Sequence, residues 1–425
     1  MKQQIERVRG TRDFYPEEKR IQNYIFEVWK SAALKFGFEE MDGPLLEPVE
    51  LWHEKSGSEI EEQMYVLTDR GGRRLAVRPE MTPTLGRMVA QRFKELTKPI
   101  KWFSIQRFWR YEKPQSGRLR EFWQLNIDTL GTESMKADSE IIASAVWIMR
   151  SFGLAKDDFV VRINNRRLLS SLLRNAGVDA EKVKDACRIL DKRDKLSPSD
   201  FRQMLSDSGI SSSAVQKILN FESLKIEDIS QMDLDEEGKK GLSELKELLS
   251  YLSAYGISEY CKFDLTLARG LDYYTGTVFE VFDTSKEFRA IAGGGRYDNL
   301  VSQFGGDKCP GVGYAMGDVV LELFLRRKGK LPELNREIDF FVACTSDSLY
   351  FKAVEIAQRL RQRNYSVAVD VMERSLSKQL KYANTIGVRR LLIVGEDELL
   401  KGAVKLKDMN SGSESILPLS SLDSI

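Results

Sequence analysis

Residues 121–131, EFWQLNIDTLG, carry the clearest chemical pattern in the chain. They read as a strand, so alternate side chains point to opposite faces. Trp123, Leu125, Ile127 and Thr129 form one mostly apolar face, suited to a core. Phe122, Gln124, Asn126 and Asp128 form the other, an aromatic ring followed by three polar groups. That face is either an exposed sheet surface of odd composition or the floor for a polar ligand, with Phe122 as a stacking surface. The preceding loop holds Arg110, Glu112, Lys113, Arg118 and Arg120. Guanidinium groups bind phosphate oxygens in pairs, so the loop suits a polyanion such as a triphosphate; its alternative is a solvated basic loop. A further unusual segment, Arg269-Gly270-Leu271-Asp272-Tyr273-Tyr274-Thr275-Gly276, sets an arginine and adjacent tyrosines among glycines. Read as a strand, it sends only one of the two tyrosines towards any given pocket, and its glycines mark a close approach of ligand or backbone. Gly293-Gly294-Gly295-Arg296-Tyr297-Asp298 has neither phosphate-loop spacing and is expected to be a tight turn beneath the site. Arg374, Lys378 and Lys381, at i, i+4 and i+7, would share a helix face near Arg389 and Arg390, facing either RNA phosphates or solvent.

Several chemistries are disfavoured by composition. The chain has one histidine, His53, which leaves little room for Ser-His-Asp hydrolysis or a multi-histidine metal site. Cys187, Cys261, Cys309 and Cys344 are scattered, with no CxxC pair, which argues against a zinc ribbon and suits a reducing cytosol. Lys+Arg number 65 against 64 Asp+Glu, so nucleic-acid contact must come from local patches rather than a basic surface. The polar N-terminus and the lack of any run of roughly 18 apolar residues disfavour a secreted or membrane-spanning protein.

The elements that position these residues follow from length and periodicity. At roughly 150 residues per domain, 425 residues predict about three domains, or one large domain with appendages. A helix is expected from Pro16 to Phe36, opened by Pro16 with Glu17 and Glu18, closed by Gly37, and buried along Ile21, Ile25, Val28, Ala32 and Phe36. Residues 100–111 and 121–131 read as an antiparallel hairpin with a long tip. Between 164 and about 256 there is no tryptophan and leucines recur at helical spacing, which predicts an inserted helical module. Strand signals return at 261–282 and around 288–292. After a linker at 334–337, apolar runs at 338–344, 366–371 and 390–395, separated by helical stretches, predict a βαβαβ unit with a parallel sheet.

Taken together, these segments resemble the class II aminoacyl-tRNA synthetases, and among them the histidyl-tRNA synthetase family. RGTRDFYPEE at the N-terminal end is similar to that family's opening. FGFEEMDGPLLEP, 36–48, looks like the first class II motif, with Pro44 at its dimer-interface position, and FWRYEKPQSGRLREFWQ, 108–124, like the second. LARGLDYYTGTVFE, 267–280, and AGGGRYDNLV, 292–301, resemble signatures of the histidine enzyme, and RPEMT, 78–82, an amino-acid-binding element. The resemblance spans the chain. It implies an α+β catalytic domain with an antiparallel sheet (1–163 and 257–330), a helical insertion (164–256) and a C-terminal α/β anticodon-binding domain (336–425).

The resemblance also implies a reaction and its residues. L-Histidine would be activated by ATP, with Mg2+ accompanying the nucleotide rather than held in a protein cage, and passed to the 3′ end of tRNA(His) by a cytoplasmic homodimer. Arg110 and Arg269 would clamp carboxylate and α-phosphate as the catalytic pair. Glu80, Thr82 and Gln124 would hold the α-amino end, with Met81 also among the histidine-binding residues. Asp128 and Tyr274, with Tyr273 and Tyr297 nearby, would read the imidazole. Glu112 and Arg118 would contact ATP, and Phe122 would stack on adenine. One position departs from the pattern: in GVGYAMGDVVLELFL, 311–325, Val320 stands where the third motif has an arginine, leaving either Arg326 or Arg327 as a replacement or ATP binding impaired. The alternatives are a non-catalytic histidine-sensing paralogue, like the regulatory subunit of ATP phosphoribosyltransferase, a related RNA-binding or sensor module, and another class II synthetase. The threonine enzyme would require zinc ligands that this chain cannot supply, and the proline enzyme would not need the Asp128–Tyr274 pair.

Overall fold

The computed structural model describes residues 5–52, 62–193, 196–269, 273–334 and 338–423. His53, Gly270 to Asp272 and most of the expected linker lie outside the described residues. The chain forms two units, Met1–Leu331 and Pro332–Ile425.

Strands of the first unit are β1 (Glu39–Glu40), β2 (Leu46–Pro48), β3 (Tyr65–Thr68), β4 (Arg74–Val77), β5 (Ile100–Trp109), β6 (Glu121–Leu130), β7 (Phe159–Asn165), β8 (Cys261–Phe263), β9 (Thr277–Asp283), β10 (Ala292–Arg296) and β11 (Gly311–Gly317). Among the described residues they build an eight-stranded sheet, β1-β5-β6-β11-β10-β9-β7-β8, and a small sheet, β2-β4-β3. The large sheet is antiparallel through its middle, and only its edge pairs, β1–β5 and β7–β8, are parallel. The expected hairpin is β5–β6, in register from Ile100↔Leu130 to Trp109↔Glu121.

One face of this sheet is buried. Leu125 and Ile127 of β6 join Phe103 and Val281 in a core shared with the helices Pro16–Lys35 and Met135–Ser151. The first helix starts at Pro16, whose ring presets φ, carries Glu17 and Glu18 in its first turn, and ends before Gly37 at φ +75°. Its buried stripe, Ile25, Trp29, Ala32 and Ala33, is rotated from the predicted one because Trp29 reaches the sheet, where its Nε1 donates to Met316 Sδ at 3.2 Å. Between β7 and β8 the chain is helical, from Arg166–Ala176 to Glu236–Ala254, and its leucines extend the same core.

Two strand expectations require correction. The stretch 261–282 is not one strand: β8 ends at Phe263 and β9 begins at Thr277, with a loop between. Arg269 lies in that loop at φ +48°, a left-handed backbone that ends any extended run. Gly293–Gly295, expected as a turn, lie in buried strand β10. The reason is close approach: a Cβ on Gly294 would sit 2.1 Å from the Gly313 carbonyl, and one on Gly295 would sit 2.5 Å from that of Thr277. At the end of β10, buried Arg296 bonds Asp138 (Nε–Oδ1 3.1 Å), the Thr132 carbonyl (2.9 Å) and Asp298 (3.3 Å). Its own carbonyl accepts from Thr275 N at 2.8 Å, and Asp298 from Thr275 Oγ1 at 2.8 Å. This network anchors the loop that carries Tyr273 and Tyr274.

In the second unit, β12 (Ile338–Cys344), β13 (Val367–Val369) and β14 (Val388–Val394) form the predicted parallel sheet in order β13-β12-β14. Two antiparallel strands that the apolar-run pattern did not mark, β15 (Ala403–Asp408) and β16 (Glu414–Pro418), extend it. β15 alternates valine and leucine with lysines, and β16, short and mostly exposed, closes the sheet's edge. The proposed basic stripe also changes: the helix is Leu376–Thr385, so Arg374 precedes it, bonding Asp370 at 2.7 Å with its guanidinium 4.4 Å from the Tyr382 ring centre.

Candidate active site

A cavity of about 710 Å³ opens on the polar face of the large sheet. Phe122, Gln124, Asn126 and Asp128, alternate residues of β6, line its floor. At about 3.3 Å per residue, the run from Phe122 to Asp128 spans roughly 20 Å. The other candidate residues, Glu80, Thr82, Arg110, Glu112, Arg118, Arg269, Tyr273, Tyr274 and Tyr297, converge on the same cavity. Met81 does not: fully buried, it precedes the helix Thr82–Gln91 with its side chain turned into the protein. Its neighbours, Glu80 and Thr82, line the cavity.

One end is built around Asp128, which lies opposite Gly313 in the β6–β11 pairing. Its carboxylate accepts the hydroxyl of Tyr297. Tyr274, expected to face Asp128 across the imidazole, lines the same cavity. Burial pushes the Asp128 carboxyl up to about 7, although the Tyr297 hydrogen bond works to lower it. Both tyrosines of the pair line the cavity, against the strand-based expectation, because Tyr273 and Tyr274 lie outside any strand, just before β9. Their ring centres are 4.7 Å apart, and Tyr273 meets Tyr297 edge-on at 6.1 Å. Room for Asp128 comes from Gly313, where a Cβ would sit 2.0 Å from Asp128 Oδ1 and 2.7 Å from the Ile127 carbonyl. Gly313→Ala is therefore expected to raise the KM for the ligand held at Asp128 by at least about tenfold, close to 1.4 kcal/mol, with a smaller change for a ligand at the other end. Equal KM values in parent and variant would contradict this.

Arg269 occupies the middle. Its Nη1 is 3.0 Å from Glu280 of β9, a partner missed in the sequence although an acid within a buried strand is a usable signal. The carbonyls of Ala268 and Arg269 accept from Arg166 Nη1 at 2.7 and 3.1 Å, so the first residue of the helical segment holds the left-handed turn. Gly293, opposite Glu280, admits the guanidinium, since a Cβ there would overlap Nη1 at 1.6 Å. Arg269 Nε and Asn126 Oδ1 are buried without a hydrogen-bond partner among the described residues, leaving polar capacity for a ligand.

The other end carries the hairpin loop. Arg110 Nε donates to the Pro79 carbonyl at 3.0 Å, and its guanidinium lies 5.4 Å from the Phe122 ring centre. Arg118 Nε sits 2.5 Å from Glu112. The N-terminal segment braces this loop: the Gly10 carbonyl accepts from Arg120 N at 2.9 Å, and Arg12 bonds Asp318 at 2.5 Å. Asp318, which also accepts from Trp123 N at 2.9 Å, opens the helix Asp318–Arg327 that carries Val320. Val320 lines the cavity; Arg326 and Arg327 do not, being bonded instead to Glu322 at 2.8 Å and Glu287 at 3.0 Å. Neither replaces the missing third-motif arginine.

Comparison with known proteins agrees along the whole chain. Residues 10–318 match the histidyl-tRNA synthetase family and 339–425 the anticodon binding domain family. The histidine–tRNA ligase of Haloarcula marismortui is 39% identical over 417 residues, covering 97% of this chain and 95% of its own length. That of Leptospira biflexa is 40% identical over 413 residues, covering 96% and 94%. The crystal structure of histidyl-tRNA synthetase from Nostoc superposes with a TM-score of 0.83 at 27% identity, covering 100% of this chain and 99% of that one. With its antiparallel sheet, its cavity and this match over both units, the chain belongs to the histidyl-tRNA synthetase family of class II aminoacyl-tRNA synthetases.

Proposed function

We propose that the chain is a histidine–tRNA ligase, activating L-histidine with ATP and transferring it to the 3′ end of tRNA(His). The observation that carries this reading is one cavity with the buried Asp128–Tyr297 pair at one end, Arg110, Arg118 and Phe122 at the other, and Arg269 between them. Its span of roughly 20 Å suits an amino acid joined to a nucleotide. A carboxylate with a second hydrogen-bonding group can engage both imidazole nitrogens, which an apolar pocket cannot do.

In the first step, an oxygen of the histidine carboxylate forms a bond to the α-phosphorus as the bond to the β-phosphate oxygen breaks, and pyrophosphate leaves with its electron pair. An α-carboxyl group with a pKa of about 3.5 is already ionised, so no base is needed. The protein's task is electrostatic and positional. Arg110 and Arg269 hold carboxylate and α-phosphate together and offset charge gathering on the phosphoryl oxygens. Glu80, Thr82 and Gln124 hold the ammonium end; Asp128, Tyr273, Tyr274 and Tyr297 surround the imidazole; Glu112, Arg118 and Phe122 take the nucleotide. Mg2+ would arrive with ATP and neutralise phosphate charge when bound.

We assign the helical segment 164–256 as an inserted domain and 336–425 as the anticodon-binding domain of a cytoplasmic protein. No described helix is long and apolar enough to cross a membrane. Homodimer formation is supported by the apolar side chains left exposed on and beside the small sheet, Leu45, Leu46, Val66 and Leu67, which a second copy would cover. Sedimentation at micromolar concentration is expected to give a dimer; a dominant monomer would refute it. The function is tested by ATP–pyrophosphate exchange without tRNA. Exchange is expected with histidine and not with other amino acids. Histidine binding without exchange would instead indicate a sensing paralogue.

A further inference from the structure

Among the described residues, the helix Asp318–Arg327 brings no cation to the cavity. It presents Val319 and Val320 there, and its two arginines are engaged elsewhere. Arg110 and Arg118 face this end from the hairpin, Arg118 already paired with Glu112. A triphosphate therefore meets hairpin cations and an apolar helix start.

Strand pairing brings a third segment to the same edge. Ala292, which opens β10, pairs with Met316, and Met316 pairs with Leu125. The residues just before β10 therefore leave the sheet at the edge where β11 ends and β6 begins. Arg289 is in this loop. It lines the cavity with Glu112, Arg118 and Val320. Among the described residues its side chain has no hydrogen bond, ion pair or ring contact of its own, and it is exposed. Partial burial and the like charge of Arg118 lower its pKa, while Glu112 opposes them. Two guanidinium groups that repel across a cavity are relieved by an anion between them.

Resting on the synthetase reading, we infer that Arg289 binds the phosphates of ATP beyond the α-phosphate, opposite Arg118, supplying from the β9–β10 loop the cation that the helix beginning at Asp318 does not provide. Arg289 is thereby a nucleotide-binding residue of the activation step. Its contact is with the pyrophosphate portion, so ATP must depend on it and AMP must not.

The test is calorimetric titration of the full chain and its Arg289→Ala variant with ATP and with AMP, both with MgCl2, alongside histidine-dependent exchange. Arg289→Ala is expected to weaken ATP binding by at least about tenfold, as for loss of one charge-assisted contact. AMP binding should stay within twofold, and the exchange assay should show a raised KM for ATP with an unchanged KM for histidine. ATP affinity within twofold of the parent, or equal losses for ATP and AMP, would overturn the assignment. Failure of the synthetase reading shows separately, as a parent that binds ATP through Arg289 yet gives no exchange with histidine.

Discussion

Replacing Arg269 by alanine is expected to reduce histidine-dependent ATP–pyrophosphate exchange by at least about 10³-fold, with the loss in kcat rather than in either KM. Arg269 is largely buried, and its Nη1 is held by Glu280 while Nε remains available. A fixed cation at the reacting phosphate acts most strongly when charge moves onto the phosphoryl oxygens, and water cannot replace it without reorganising. The variant also leaves Glu280 without its cation, a change expected to cost a few kcal/mol of stability. The double variant Arg269→Ala, Glu280→Gln removes that unpaired charge and separates folding from catalysis. If it regains the parent's denaturant midpoint but not its turnover, the arginine acts on the reaction. Turnover within tenfold of the parent would remove Arg269 from the catalytic step.

The Asp128→Asn variant should behave in the opposite way. It is expected to raise the KM for histidine by about 10²-fold, since a site built to bond a polar group discriminates through that bond, while kcat at saturation changes little. It should also be more stable than the parent above neutral pH. Burial raises the folded-state pKa of Asp128 to about 7, above the unfolded value. Folding therefore favours the protonated carboxyl. That contribution is present in full below about pH 4 and is lost as the pH rises through 7, amounting to at most about 4 kcal/mol. Asparagine stays neutral and keeps an oxygen for Tyr297. Denaturant midpoints for the two proteins should thus be similar at pH 4 and diverge at pH 8, with the variant higher. Parallel midpoints at both pH values, or an unchanged KM, would refute this role. Together the two substitutions separate the ends of the reaction: one removes charge stabilisation, the other recognition.

Much of this arrangement is local and could be read directly from residue order. The period-two pattern of β6 decided which face would carry Phe122, Gln124, Asn126 and Asp128, because pleating leaves no freedom once the strand exists. Pro16 and Gly37 bounded the first helix for equally local reasons, a preset φ at one end and a left-handed residue at the other. Apolar runs marked the three parallel strands of the second unit, whereas β15 and β16 escaped notice because neither carries a continuous apolar run.

What the tertiary structure alone decided concerns partners distant in sequence. Tyr297 meets Asp128, 169 positions away, because β11 lies between β6 and β10 and the chain leaving β10 carries the phenol across it. Tyr273 and Tyr274 share one cavity in a loop that Arg296 and Asp298 anchor from another element through Thr275. The glycines of β10 are a strand because Gly313 and Thr277 approach too closely for side chains. Arg289 reaches the hairpin's end of the cavity through strand register. Residue order sets what each side chain can do and which way a regular element points it; pairing and packing between remote segments set what it meets.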